Sequence, residues 1–342
     1  MAYPEASGPS GIRASLSLNW TGIAAAVAGL ILFAVVLSRT GLDAVAESAV
    51  RLGWGFVLVL ALAGYRLFAR AWAWTLCSGR GVRLPLGDAF QALLVGDALG
   101  NLTPLSLLVS EPTKAVLVRH RVPLLEAVAS IAIENVFYTL SVASVIALGT
   151  AALVLAFDLP EALFQLSLAA LVAMATVVLG VAWLLVARVR ILTTLAAVAS
   201  ERLRLSARFQ TLLSQLTAVE EQIVGFASRR PGAVPAVAAV EVSYHVAALA
   251  EVYVLLYFIV GPENTTLLTA FVLEAANRFI SAAFKFVPLR LGVDEAGTGL
   301  LTEALGLGIA PGVAFAVIRK ARSLCWSAVG VAVLVTRGLR SG

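Results

Sequence analysis

Residues 125–157 read LEAVASIAIENVFYTLSVASVIALGTAALVLAF, and this stretch decides the solvent in which the chain folds. Its only charged side chains are Glu126 and Glu134. As a helix rising about 1.5 Å per residue, it is long enough to cross a hydrocarbon core of about 30 Å. It is not alone. Runs at 20–38, Gly55–Cys77, 163–187, 234–260 and 312–336 also reach spanning length. Across the whole chain, hydrophobic residues make up 60% and charged residues 13%. A soluble globule has roughly 45–50% and about 25%, so a bilayer is the solvent this composition requires. The mean hydropathy, +0.95, agrees. The fold class is all-α, a polytopic integral membrane helical bundle.

Working outward, a short polar tail at 1–19 with Arg13 precedes the first run. That run lacks a small-residue cleavage site and is followed by many more, so it reads as a retained helix. Cys77 and Cys325 lie in apolar segments without partner spacing, and His120 and His245 stand apart. Neither a disulfide framework nor a metal site is expected, and no cofactor motif is present. The net charge of +5 comes almost entirely from arginine. In such a chain it speaks of topology and anionic headgroups, and no nucleic-acid partner is expected.

Two further apolar regions are broken. Residues 86–118 contain Gly96, Gly100, Asn101, Thr103 and Pro104; residues 267–308 contain Lys285, Pro288, Arg290 and Gly292. Proline removes a helical N–H and glycine loosens the backbone, so each region predicts a re-entrant hairpin rather than one span. The resulting scheme has about six full spans and two hairpins. The polar stretch 188–232 places Leu205, Phe209, Leu212, Leu216, Val219, Ile223 and Phe226 at helical spacing. It predicts an amphipathic connector on the membrane or against the bundle. Positive connectors at Arg80/Arg83, Arg119/Arg121, 188–230 and the tail 337–342 then fall on one side. Both termini are therefore expected in the cytoplasm.

The two breaks share an element. From Pro104 the chain reads PLSLLVSEPTKAVL, and from Pro288 it reads PLRLGVDEAGTGLL. Pro104/Pro288 and Glu111/Glu295 match at one offset, and Ser110 aligns with Asp294 as two expected helix N-caps. If the first hairpin enters from the cytoplasm and the second from the opposite face, the pair forms an inverted repeat. Fresh helix N-termini there would favour an anion, although Glu111 and Glu295 in the first turn oppose it.

Charges at membrane depth are costly and mark candidate sites. The basic set is Arg66, Arg70, Lys114, Arg278, Lys285, Arg290, Arg319, Lys320 and Arg322; the acidic set includes Glu134, Glu241, Glu251 and Glu274. Arg66 and Arg70 share a helix face, as do Glu274 and Arg278. A polar cavity with a basic surplus suits a phosphate-bearing headgroup; structural ion pairs between helices are the other reading. Of these groups, Arg70, Lys114, Arg278, Lys285, Arg319 and Arg322 are the expected binding cations. Asn101, Pro104, Ser110, Glu111, Pro288, Asp294 and Glu295 are expected from the breaks. No nucleophile-and-base set appears, so no catalytic residues are assigned.

The elements YRLFARAWAW (65–74), NLTPLSLLVSEPTKA (101–115) and VPLRLGVDEAGTGLL (287–301) make the chain resemble the flippase-like family named for the transmembrane region of lysylphosphatidylglycerol synthase. The resemblance covers roughly 20–336 as a single transmembrane domain. It departs from many relatives at 110–112, where SEP replaces a Gly-rich or Arg-containing stretch. Full-length synthases append a soluble aminoacyl-transferase domain that is not expected here, so synthase activity is not implied. The resemblance implies movement of a phospholipid or isoprenoid-linked lipid between leaflets of a bacterial inner membrane. The partner would be a lipid with an anionic or zwitterionic headgroup, with lipid-biosynthesis enzymes as possible protein partners. Two alternatives stand beside it: a lipid-modifying enzyme using Glu111 or Glu295 as general base, and a scaffold docking through 188–230.

Overall fold

The computed structural model describes residues 50–340 apart from 80, 82, 103–105, 191–192, 195–197, 199–206 and 286. The expected first helix at 20–38, Pro104 and part of the connector lie outside the described residues. In chain order the α-helices are α1 Gly55–Cys77, α2 Leu86–Leu102, α3 Ser106–Val118, α4 Leu124–Ala156 and α5 Glu161–Val186. They continue with α6 Ala207–Arg229, α7 Ala233–Val260, α8 Leu267–Ala283, α9 Val293–Ala304 and α10 Ile309–Arg340. Short 3-10 turns at Pro262–Asn264 and Pro288–Arg290 join α7 to α8 and α8 to α9. No strand occurs among the described residues.

Among the described residues, four helices are long and apolar enough to cross a membrane: α1, α4, α5 and α7. The apolar run expected to span at 312–336 lies within α10. That helix is long enough but less apolar, with Arg319, Lys320 and Arg322 in its middle. These charges are tolerated because each faces an acidic partner inside the bundle.

The helices α1 and α7 pack antiparallel along their lengths. Phe258, late in α7, sits against Gly55 at the start of α1. At the other end Arg230 Nη1, just before α7, donates to the carbonyls of Leu76 and Ser78, satisfying the C-terminus of α1. This gives the bundle two recognisable ends. The open ends of α2 and α3 (Leu84, Leu86 and Val118) pack with Trp74 at the finish of α1. The open ends of α8 and α9 (Ala270, Leu301 and Leu305) pack with Leu52 and Ile259 at the opposite end. Helix α4 crosses α8 so closely that a Cβ on Gly149 would stand 2.1 Å from that of Ala275, a small-residue contact in which only glycine fits.

The amphipathic connector is partly as expected. Helix α6 buries Val219 and Phe226 against α4, with Phe226 edge-on to Phe137 at 5.8 Å. Leu212 and Leu216 in its first half stay exposed. The two expected N-caps are corrected. Helix α3 begins at Ser106, so Ser110 lies inside it, with its hydroxyl 3.5 Å from Asp97 Oδ1. Helix α9 is capped by Gly292 at φ 78°, and Asp294 is its second residue, pairing with Arg290 instead of capping. At α9 the positive φ of Gly292, which a one-residue motif does not encode, sets where the helix starts.

Candidate functional site

A cavity of about 560 Å³ lies inside the bundle. The membrane-spanning helices reach it near their midpoints: Arg66 of α1, Tyr138 and Thr139 of α4, Met174 of α5 and Tyr244 of α7. Each stands within about one turn of the centre of its helix. The cavity is therefore at mid-height. Both hairpins contribute, and the tip at Pro288–Arg290 packs against α2.

Nine basic side chains line it: Arg66, Arg70, Lys114, Arg278, Lys285, Arg290, Arg319, Lys320 and Arg322. Three acidic ones line it too, namely Asp97, Glu111 and Asp294. Four buried carboxylates, Glu134, Glu251, Glu274 and Glu295, stand behind the wall and pair with lining cations. Nine against seven leaves the assembly basic.

The pairing is specific. Arg70 makes a two-point contact with Glu134, both bonds 2.9 Å, while its guanidinium lies 4.1 Å above the Tyr138 ring. Such fork-to-fork geometry fixes α1 against α4. Glu251 of α7 receives Arg66 at 2.8 Å and Arg322 of α10, tying three helices together. Arg278 donates to Glu274 at 2.6 Å and to the Tyr244 hydroxyl at 2.7 Å. Tyr138 and Tyr244 stand 3.3 Å apart, hydroxyl to hydroxyl. Lys114 bridges Asp97 at 2.9 Å and Glu111 at 3.2 Å.

Against this background, four lining cations among the described residues carry a loosely held donor. Arg66 Nε and Arg278 Nη2 are buried, yet neither has a hydrogen-bond partner. Arg319 reaches Glu274 only at 3.9 Å. Lys285, at the second break, is exposed to the cavity and makes neither an ion pair nor a hydrogen bond among the described residues. They come from α1, α8, the second break and α10. A buried guanidinium arm without an acceptor is costly unless a ligand or water supplies one.

Of the residues expected from sequence, Arg70, Asn101, Ser110, Glu111, Lys114, Arg278, Lys285, Asp294, Arg319 and Arg322 line this one cavity. Glu295 does not; it is fully buried behind the wall on Lys320. Pro288 opens the second tip, and Pro104 is outside the described residues. An anion site at a helix N-terminus beside Ser110 is not formed, since that residue is inside α3.

Sequence reading missed Asp97, Tyr138 and Tyr244. Asp97 was visible as a carboxylate beside Gly96 in the first break. The tyrosines gave no signal, because an aromatic within an apolar run is indistinguishable from core. The second tip also holds Leu289 and Arg290 at φ 50° and 49°. Left-handed backbone at non-glycine residues costs of order 1 kcal/mol each and needs surrounding contacts to hold it. Here Lys320 Nζ donates to the Arg290 carbonyl at 3.2 Å, and Arg290 pairs with Asp294.

Among the described residues no cluster of histidine, cysteine and carboxylate side chains could hold a metal ion. No curated protein and no solved structure matches the chain significantly. A sequence model of one family does match, over residues 19–330, nearly the whole chain. The chain, a multi-pass membrane protein, belongs to the family described as the lysylphosphatidylglycerol synthase transmembrane region.

Proposed function

We propose that this protein binds a membrane lipid by an anionic or zwitterionic headgroup in the mid-height cavity and carries it between leaflets. Membership of the family implies a membrane protein tied to lipid metabolism or transport. One observation favours the more specific reading. A basic cavity at the height where spanning helices are centred contains a cation, Lys285, that makes no ion pair among the described residues. A charge at that depth without a counter-charge is unfavourable, and a phosphate group supplies one. The volume suits a headgroup, leaving acyl or isoprenoid tails among the helices and lipid.

On this reading the two hairpins form an inverted repeat, each opening toward one leaflet, and the cavity between them is loaded from one side and emptied from the other. The protein performs no chemistry of its own. Its home is a bacterial inner membrane with both termini cytoplasmic, beside enzymes that make or use the lipid.

The test is leaflet exchange of a fluorescent phospholipid in reconstituted vesicles. Lys285→Glu is expected to abolish exchange without loss of folding, since Lys285 has no protein partner to lose. Exchange persisting at the wild-type rate would overturn the cavity assignment. Cysteines placed at Asn101 and Lys285 test the repeat. Labelling of the two from opposite faces is expected, and labelling of both from one face only refutes it.

A further inference from the structure

The carboxylate of Glu241 stands out from the others in the bundle. It is buried, on α7, and no cation pairs with it. Among the described residues, every other carboxylate buried on the spanning helices and hairpins has one: Glu134 has Arg70, Glu251 has Arg66 and Arg322, Glu274 has Arg278, and Glu295 has Lys320. The contact Glu241 does make is to a hydroxyl. Ser141 Oγ of α4 lies 2.8 Å from Glu241 Oε2 and 2.9 Å from the carbonyl oxygen of Tyr138.

A serine hydroxyl has one proton and accepts through its lone pairs. Here that proton is shared between two acceptors, as the Thr302 hydroxyl is shared between the carbonyls of Thr298 and Gly299, so an ionised Glu241 receives only part of one hydrogen bond. A carboxylic acid at Glu241 would instead donate to Ser141 Oγ and leave the serine proton wholly to the Tyr138 carbonyl. An ionised carboxylate at this depth, with no cation and a single hydroxyl, would carry a large desolvation cost.

The position connects this acid to the cavity. Glu241 lies about 12 Å along α7 from its start, one turn before Tyr244, on the side of the bundle where Arg230 meets the end of α1. The charged and titratable groups that face it are Arg70 and Cys77 from α1, Glu134 from α4 and Arg278 from α8. Of these, Arg70 and Arg278 line the cavity. When Glu241 releases its proton to water, a second negative charge appears beside Glu134. The nearest cations able to offset it are then the ones presented to the headgroup.

We propose that Glu241 is a proton-binding site and that its protonation is coupled to occupancy of the cavity, so that lipid exchange and proton movement are linked. This rests on the lipid reading for the coupling alone; the proton on Glu241 stands without it. Infrared difference spectroscopy of the full chain in lipid, between acid and alkaline buffer, reads that proton directly. A buried carboxylic-acid carbonyl band is expected in the wild type and absent in Glu241→Gln, whose amide can still donate to Ser141. A spectrum identical in the two overturns the proposal. In the vesicle assay, wild-type exchange is expected to change by up to about tenfold per pH unit where the site titrates, and the rate in Glu241→Gln to be flat with pH. Equal pH profiles for the two proteins overturn the coupling. Loss of exchange in Lys285→Glu with the infrared band retained keeps the two claims separate.

Discussion

In the first hairpin Lys114 of α3 pairs with Asp97 of α2 and with Glu111 one turn away, so these ion pairs close within the hairpin, while Asn135 of α4 donates to Glu111 from outside. In the second hairpin Glu295 and Asp294 of α9 reach outside it, to Lys320 of α10, and Arg278 of α8 reaches the tyrosines of α4 and α7. Yet both hairpins carry the same proline-to-glutamate element. Glu111 is partly exposed on the cavity wall, whereas Glu295 is fully buried behind it. One hairpin pairs its buried lysine internally, and the other is fastened by ion pairs to the last helix. An identical spacing of residues does not by itself give an identical environment, because the neighbour helix decides what each glutamate meets.

That contrast can be broken most decisively at Lys320. Lys320→Met leaves Glu295 buried and unpaired and frees the strained carbonyl at Arg290, an expected loss of about 3–5 kcal/mol in thermal unfolding of the detergent-solubilised protein. The double variant Lys320→Met/Glu295→Gln is expected to regain most of it. A single variant within about 1 kcal/mol of wild type would show that α10 does not fasten the second hairpin.

The matching change in the first hairpin is smaller. Lys114→Met is expected to cost about 1–2 kcal/mol by the same measurement, because the Asp97 and Glu111 side chains are 28% and 23% exposed and regain water when the lysine is gone. Equal losses at Lys114 and Lys320 would remove the distinction. The smallest stability effect belongs to Lys285→Ala, within about 0.5 kcal/mol, since the side chain is exposed and makes no ion pair or hydrogen bond among the described residues. Its effect should fall on ligand: retention of an anionic phospholipid on purification is expected to weaken about fivefold, from roughly 1 kcal/mol per cation. Native mass spectrometry of co-purified lipid checks this.

Particular residues mark how far the sequence could be read. The runs at Gly55–Cys77 and 234–260 and the breaks around 103–105 and 285–292 were legible, since hydropathy, proline and glycine act locally. The pairing of Glu274 with Arg278 was legible for the same reason, being one turn apart on one helix. The N-caps assigned to Ser110 and Asp294 were not correct, because Ser110 falls inside α3 and the start of α9 is set by Gly292. Arg66 and Glu251 were each visible as misplaced charges, but their partnership spans 185 positions.

The sequence by itself determined the solvent, the helical class, the places where helices break and the list of charges that must be neutralised. Apolar periodicity and the special backbones of proline and glycine are properties of neighbours along the chain. Only the tertiary structure decided which acid met which base, and which cations were left without one. Ion pairs at membrane depth are chosen by helix adjacency, so the antiparallel fit of α1 on α7 and the crossing of α4 on α8 assigned them. Those same contacts set Tyr138 and Tyr244 among the arginines, left Lys285 facing the cavity and one arm of Arg278 without a hydrogen bond, and placed Glu241 against a serine instead of a cation.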